Sequence, residues 1–272
     1  MYEAYWQFTR SPFDQHIDSR GCFRSDSHQA CLLKLHYLVE NQKGAGLLVG
    51  GTGVGKSALL QVLAHELDDS FRPFVHVTFP QLAPAELLAY LAVELGADPE
   101  AVGHEHGRLD CTIRQLERQF AEHNAHRRSP VLVIDEAHLI DDVQVFQTLQ
   151  LLLNLQQKGA DFSLILAGQR ELLAKVRRIA PLDERLAVKC QLQSLNAEET
   201  TAYIQWRLEL AGAREPIFSA EALEAVFEQS GGVPRRINHL CDMALLVGYA
   251  DESATVSAAQ VEAVCEEMLV AD

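Results

Sequence analysis

Residues 47–58 read Leu-Leu-Val-Gly-Gly-Thr-Gly-Val-Gly-Lys-Ser-Ala and contain the pattern G-x-x-x-x-G-K-S. A buried-strand pattern precedes this stretch and an amphipathic helical pattern follows it, which is the context that a phosphate-binding loop requires. Gly51, Gly53 and Gly55 let the backbone curl so that successive N–H groups point at a phosphate. We therefore predict a nucleotide-binding loop that consists of Gly50, Gly51, Thr52, Gly53, Val54, Gly55, Lys56, Ser57 and Ala58.

Two side chains at the end of this loop have separate predicted roles. The Lys56 ammonium reaches the β- and γ-phosphates, and the Ser57 hydroxyl takes one coordination position of Mg²⁺. The helix that begins near Lys56 adds the positive end of its dipole. The alternative, a Gly-rich turn that happens to precede Lys-Ser, is disfavoured because a strand and a helix flank it. The predicted cofactors are therefore ATP and Mg²⁺.

Residues 131–138, Val-Leu-Val-Ile-Asp-Glu-Ala-His, form the second chemical segment. Four apolar residues predict a buried strand that ends in two carboxylates. Asp135 would hold the water shell of Mg²⁺ beside the phosphates, and Glu136 would orient or deprotonate the attacking water. Such a run is weak evidence alone, because many strands end in acidic turns. Together with the phosphate-binding loop it favours ATP hydrolysis over binding without turnover.

A third strand pattern ends at Gln169 in Leu164-Ile-Leu-Ala-Gly-Gln169. Its side chain would lie between the two carboxylates and the γ-phosphate, where it could sense hydrolysis. In the alternative interpretation Gln169 only caps the helix that begins near Glu171. Both interpretations remain open at this point.

Two arginine positions add candidate contacts to the phosphates. Pro234 suits the first turn of a predicted helix, so Arg235 lies close to its start and could reach the nucleotide. Arg185 precedes the last predicted strand and could stabilise transition-state charge in the site of a neighbouring subunit. The alternative for Arg185 is a surface ion pair with Asp183 or Glu184. Arg177 and Arg178 are rival candidates for the same role.

Strand and helix patterns alternate along residues 43–195, which predicts a parallel sheet covered on both faces. Strands are expected at about 46–49, 74–79, 131–134, 163–167 and 188–192. Helices are expected at about 56–67, 84–95, 110–125, 143–158 and 170–179. We predict three parts: a lead-in over 1–42 that packs on the ATPase core, the ATPase domain over 43–195, and a helical lid over 196–272.

Local capping patterns mark the helices outside the predicted sheet. Ser27 is a good N-cap for a lead-in helix over 27–39. Asn196 and Glu199 form a capping box at the start of the lid. Further lid helices are expected from Ser219, over 233–247, and after Ser257, with Gln260 contributing to that cap. No strand pattern remains after residue 195, so the lid is predicted to be all-helical.

Composition argues against several other classes of protein. A net charge of −15 over 272 residues makes the chain a poor non-specific binder of polyanions. No apolar run approaches the ~20 residues that a membrane helix needs, and the N-terminus lacks the layout of a secretory signal. Six scattered cysteines without a C-x-x-C pair, and histidines such as His104 and His106 without paired spacing, favour neither a disulfide framework nor a metal site. We expect a cytoplasmic protein.

Motifs along nearly the whole chain resemble those of AAA+ ATPases typified by general secretion pathway protein A. They are Met1-Tyr2, Ser11-Pro12-Phe13, Ser27-His28-Gln29-Ala30, GGTGVGKS (50–57), VLVIDEAH (131–138), LILAGQREL (164–172), LDERLAVKCQL (182–192), Glu199, Tyr203-Ile204, Arg207-Leu208, Ala211-Gly212 and GGVPRRIN (231–238).

The resemblance implies a P-loop NTPase fold of the additional-strand type, with a five-stranded parallel sheet and a helical lid. It implies Lys56, Ser57, Asp135 and Glu136 as the catalytic set. It also implies sensor roles for Gln169 and Arg235, a trans-acting finger role for Arg185, and an adenine contact at Phe13. The transmembrane segment and peptidoglycan-binding domain of the full-length secretion protein are absent here, so we expect no direct membrane insertion. Another protein would then tie this ATPase to the inner membrane.

Three functions compete on this evidence. The first is a motor or switch that forms a ring or filament with ATP and drives assembly or export of a secretion or exopolysaccharide system through partner proteins. The second is a transposition regulator that resembles the TnsC and TniB ATPases and binds DNA. The third is a nucleotide-dependent scaffold with very slow turnover. The acidic composition and the lack of a basic tail favour the first, and an intact Glu136 disfavours the third.

Overall fold

This computed structural model describes residues 1–14, 23–102 and 109–270. The chain divides into two compact units. The α/β unit comprises Ser27–Thr52 and Lys56–Leu192. The helical unit comprises Met1–Asp26, Gly53–Gly55 and Gln193–Asp272.

Five parallel strands form the sheet of the α/β unit, in the order β2-β3-β4-β1-β5. They are β1 (Ala45–Gly50), β2 (Phe74–Val77), β3 (Val131–Ile134), β4 (Ser163–Gly168) and β5 (Leu186–Leu192). Every residue of β1, β3 and β4 is buried, because helices cover both faces of a parallel sheet. The edge strand β5 alternates buried and exposed residues. The predicted P-loop type of α/β fold with five parallel strands is confirmed.

Eight of the α-helices in the described residues belong largely to the α/β unit. They are α1 (Asp26–Glu40), α2 (Lys56–Glu66), α3 (Pro84–Glu94), α4 (Pro99–Val102), α5 (Leu109–Ala125), α6 (Val143–Leu152), α7 (Glu171–Arg177) and α8 (Ala180–Asp183). The single helix predicted over 143–158 is wrong in its second half, where Leu153–Lys158 tightens into a 3₁₀ helix and ends at Gly159 with φ 90°. Ser27 is not the N-cap of α1, because the helix already includes Asp26, whose acidic side chain suits a first turn.

The interior of the α/β unit is mainly aliphatic. Side chains of β1 to β4 pack there against α3, α5 and α6, and Leu47, Leu132 and Leu164 are fully buried among them. The rings of Phe120 and Phe162 stack with their centroids 4.5 Å apart. This core fixes the strands whose carboxyl ends carry the candidate site.

Four longer helices form most of the helical unit: α9 (Ala197–Leu210), α10 (Ala220–Ser230), α11 (Pro234–Ala250) and α12 (Ala258–Val270). The predicted capping box at the start of α9 is confirmed, since Asn196 accepts from the Glu199 N–H and Glu199 accepts in return. Ser219 caps α10 as predicted. The backbone N–H of Ser257 donates to Gln260 at the start of α12.

The first residues of the chain belong to the helical unit. Tyr2, Trp6, Phe8 and Phe13 are buried in its hydrophobic cluster, and Trp6 Nε1 donates to the carbonyl of Leu245 at 3.1 Å. Met1–Asp26 group with the helical unit because their aromatic side chains find apolar partners there, and Ser27–Thr52 group with the α/β unit. The expectation that the lead-in packs on the ATPase core stays a prediction.

Some sequence-based expectations fall outside the described residues. These are residues 15–22 of the lead-in, with one of the six cysteines, and the histidines His104 and His106. Across the described parts of the chain, we find no helix whose length and apolar character would let it cross a bilayer.

Candidate active site

The loop after β1 has the backbone conformation that its glycines allow. Gly53 and Gly55 have φ values of 76° and 103°, in the left-handed region that side chains with a Cβ rarely adopt. Gly51 is not among the residues with positive φ, so Gly53 and Gly55 are the left-handed positions of this curl. Val54 is buried, Thr52 is exposed and Ala58 is half-buried.

Lys56 begins α2, and its side chain is buried within the loop. The ammonium donates to the carbonyl of Gly51 at 3.0 Å and to that of Gly50 at 3.3 Å. These bonds hold the cation at the point where β1 ends and the helix begins. The positive charge and the N-terminus of α2 therefore occupy the same small region, which suits a phosphate.

Asp135 follows β3 directly and is 3% exposed. Its Oδ2 accepts from Ser57 Oγ at 2.8 Å and lies 3.2 Å from His76 Nε2, while Oδ1 accepts from the Glu136 N–H at 2.8 Å. Burial raises the pKa of Asp135, but the hydrogen bonds from His76, Ser57 and the Glu136 backbone outweigh it, so this pKa lies below its ordinary value. Asp135 is thus an ionised carboxylate joined to the phosphate-binding loop through Ser57.

Sequence reasoning missed His76, which lies in β2 next to β3. The Asp135 N–H donates to the Val77 carbonyl at 2.9 Å, so β2 and β3 stay paired up to the carboxylate. The signal in the sequence was one polar residue within the apolar run Phe74–Val77. Its contact with Asp135 could not be inferred without knowing that β2 pairs with β3.

Glu136 has a left-handed backbone, with φ 49° and ψ 29°. This conformation is uncommon for a residue with a side chain and is often found at functional sites. The Glu136 carboxylate is partly exposed, and Oε2 lies 3.4 Å from Nδ1 of the buried His138. The geometry is not that of a hydrogen bond, since Nδ1 has no hydrogen-bond partner among the described residues. The turn thus places the Asp135 carboxylate beside Ser57 and His76 and the Glu136 carboxylate beside His138.

Gln169 follows β4 immediately and is half-buried. Arg170 occupies the N-cap position of α7, and Gln169 contributes its backbone carbonyl, which accepts from the Leu172 N–H at 3.0 Å. Gln169 thus contributes to the start of this helix through its backbone, and its sensor role stays a prediction. A Cβ built on the preceding Gly168 would lie 3.2 Å from His138 Nδ1, so the end of β4 adjoins the turn after β3.

The Arg185 guanidinium is held within its own α/β unit. It donates to the Gln150 carbonyl at 3.2 Å and to Oδ1 of Asn154. Among the described residues, the structure does not show the alternative surface ion pair of Arg185 with Asp183 or Glu184, because the guanidinium bonds to Gln150 and Asn154, and Asp183 pairs with Lys189 at 2.7 Å. The rivals Arg177 and Arg178 are exposed at the end of α7.

Arg235 lies in the first turn of α11, next to Gly53 of the phosphate-binding loop. Its N–H donates to the Gly53 carbonyl at 3.3 Å, and a Cβ built on Gly53 would lie 2.9 Å from the Arg235 Cβ. Both residues belong to the helical unit, and the Arg235 side chain is exposed. Phe13 is buried in the core of that unit. The sensor role of Arg235 and the adenine contact of Phe13 stay predictions.

Comparison with known proteins gives matches over most of the chain. A family model described as AAA domain matches residues 39–176. General secretion pathway protein A of Aeromonas hydrophila is 29% identical over 253 residues, which are 92% of this chain and 45% of that protein. The chain therefore spans less than half the length of this relative.

Solved structures show the same fold at low sequence identity. The Aeropyrum pernix ORC2 protein, solved as ADPNP-ADP complexes, superposes with a TM-score of 0.69 at 16% sequence identity. The match covers 96% of this chain and 72% of the ORC2 chain. Cdc6p of Pyrobaculum aerophilum superposes with a TM-score of 0.71 at 16% sequence identity. This match covers 90% of this chain and 67% of the Cdc6p chain.

Proposed function

The chain belongs to the AAA domain family, and from this premise we propose that it is an ATPase that binds Mg·ATP and hydrolyses it. The sequence-based resemblance to AAA+ ATPases typified by general secretion pathway protein A is confirmed by the same family match and by that relative. The 2.8 Å hydrogen bond between Ser57 Oγ and Asp135 Oδ2 carries the proposal. It joins the phosphate-binding loop to the strand that ends in two carboxylates.

The residues of the site fit Mg²⁺ and a nucleotide. Mg²⁺ prefers hard oxygen ligands, and the Ser57 hydroxyl and the ionised Asp135 carboxylate supply two of them. Gly53 and Gly55 shape a loop that ends at the N-terminus of α2, and Lys56 adds a cation there. Held by Ser57 and Asp135, Mg²⁺ would supply positive charge that stabilises transfer of the phosphoryl group.

The protein residues then divide the remaining work. Lys56 binds the phosphates and exchanges its carbonyl partners in the loop for phosphate oxygens. Glu136 orients the attacking water or accepts its proton. Gln169, one strand away, reports on the γ-phosphate, and Arg235 reports the nucleotide state from the start of α11.

Replacement of the loop lysine tests ATP binding directly. Lys56→Ala should weaken binding of ATP by about 100-fold, because a charge-assisted contact to phosphate is lost. Lys158→Ala is the matched control, since it removes the same charge from a surface ion pair with Glu117. Isothermal titration with ATP and Mg²⁺ measures both variants. Unchanged affinity in Lys56→Ala would sink the assignment of this loop.

We further propose that the active form is a homo-oligomer in which Arg185 acts on the site of a neighbouring subunit. Each subunit would then lack one element of a complete site. Arg185→Ala should lose ATPase activity, and mixing it with Lys56→Ala should restore part of that activity. Arg118→Ala, at an exposed position of α5 and mixed in the same ratios, is the control for arginine loss. Absence of recovery at every mixing ratio would refute the trans role.

The third part of the proposal concerns the process that ATP turnover serves. The relative's name refers to secretion, so we propose assembly or remodelling in a secretion or cell-envelope export system, with attachment to the membrane through a partner protein. ATPase rate and particle size, with and without double-stranded DNA across a salt series, test this. ATP-dependent oligomers indifferent to DNA support it. DNA-stimulated turnover with filaments would overturn it in favour of the transposition-regulator alternative.

A further inference from the structure

The edge strand β2 places the side chain of His76 beside the candidate site, and His76 has none of the roles proposed above. Val75 and Val77 point into the core of the α/β unit, whereas the His76 side chain remains 22% exposed. Its Nε2 lies 3.2 Å from Asp135 Oδ2. Asp135 therefore has a partner in β2 in addition to the phosphate-binding loop.

The chemistry of the pair identifies the donor. A carboxyl group of ordinary acidity is ionised at neutral pH and then only accepts hydrogen bonds. Nε2 of His76 must then carry the proton, and it donates to Oδ2. Ser57 donates to the same oxygen, and the Glu136 N–H donates to Oδ1.

The two donors to Oδ2 differ in what else they are needed for. The Ser57 hydroxyl is also the proposed ligand of Mg²⁺, so its own hydrogen bond to Asp135 is available for exchange. His76 lies in a strand that is paired with β3 through four residue pairs, including His76 with Val133. The His76 donor is thus tied to the sheet and is independent of the loop.

We propose that His76 is a positioning residue, whose Nε2–H holds the Asp135 carboxylate in the orientation that receives Mg²⁺ with its nucleotide. The inference rests on the proposed Mg·ATP site and adds to it a residue from β2. Hydrogen-bond partners of metal-ligating groups fix ligand orientation, and their loss typically reduces metal affinity by about 10–100-fold. The 3% exposure of Asp135 makes water a poor substitute for the missing donor.

A pair of substitutions of similar length separates the donor from the shape of the side chain. His76→Gln retains an N–H near the position of Nε2, and His76→Met has none. Binding of a fluorescent ADP analogue to the full chain is titrated over a series of Mg²⁺ concentrations and in EDTA. His76→Met should raise the Mg²⁺ concentration for half-maximal binding by about 10-fold, and His76→Gln should stay close to wild type. Binding in EDTA should be equal in all three proteins.

The outcomes that overturn the inference are distinct from failure of the proposed function. An unchanged Mg²⁺ requirement in His76→Met refutes the positioning role. Equal increases in the Gln and Met variants also refute it, because they indicate a role of shape alone. Wild-type protein that does not bind the analogue, or binds it without regard to Mg²⁺, refutes the site itself. If thermal unfolding shows that His76→Met does not fold, His76→Asn, whose amide ends short of Nε2, replaces it with the same expected increase.

Discussion

The two units of this chain build their interiors from different parts of the sequence. In the α/β unit, continuous apolar runs such as Val131–Ile134 form central strands that are buried on both faces. In the helical unit, aromatic side chains from the start of the chain pack with residues about 240 positions later, as Trp6 does with Leu245 at a separation of 239. Local apolar patterns in the sequence therefore predict the interior of the α/β unit. They cannot predict the interior of the helical unit, which depends on contacts between distant residues.

The two units also differ in how many candidate site residues they contain. Lys56, Ser57, Asp135 and Glu136 cluster where strands end and α2 begins in the α/β unit, the usual position of ligand sites in open parallel sheets. The helical unit contains capped helices, an aromatic core and the loop residues Gly53–Gly55, and Arg235 and Phe13 are its further candidate contacts. Substitutions in the first group should change turnover before stability, and those in the second should change stability before turnover.

The strongest test of this comparison replaces the second carboxylate of the α/β unit. Glu136→Gln should reduce ATP hydrolysis by about 10²–10⁴-fold, because the amide cannot accept a proton from the attacking water. ATP binding and the free energy of unfolding should stay near wild type. Steady-state turnover and isothermal titration measure the two effects, with Glu117→Gln as the control for charge loss. Wild-type turnover in Glu136→Gln would remove this residue from the mechanism.

The second prediction concerns the N-terminal contribution to the helical unit. Trp6→Ala should lower the free energy of unfolding by about 3–5 kcal/mol, because a large buried ring is removed. Urea unfolding measures the loss, and hydrogen exchange should become faster in α9 to α12 and not in β1 to β5. Leu210→Ala, at an exposed position of α9, is the control. Equal acceleration in both units would contradict the division described above.

The third prediction uses two neighbouring glycines of the helical unit. Gly231 and Gly232 have φ values of 60° and 68°, but only at Gly232 would a Cβ meet another atom, the Leu195 carbonyl oxygen at 1.8 Å. Gly231→Ala should therefore cost about 1 kcal/mol of backbone strain, and Gly232→Ala about 3 kcal/mol. Thermal unfolding compares them. Equal losses would mean that the close approach of Gly232 to Leu195 contributes nothing.

Local signals in the sequence were sufficient for much of the fold. Both ends of the strand over 131–134 were predicted correctly, and the capping box at Asn196 was predicted from the four residues 196–199. Both depend on interactions within a few residues. The end of α6 was missed because the change to a 3₁₀ helix at Leu153 has no breaker residue before Gly159.

The glycine-rich loop after β1, the carboxylates after β3 and the alternation of strands and helices can be predicted without coordinates, because each is specified by residues adjacent in the chain. The contacts of His76 with Asp135, of Arg185 with Gln150 and Asn154, and of Trp6 with Leu245 are known only from the fold. These contacts depend on strand order and on packing between residues that are distant in sequence. Short-range preferences leave both undetermined.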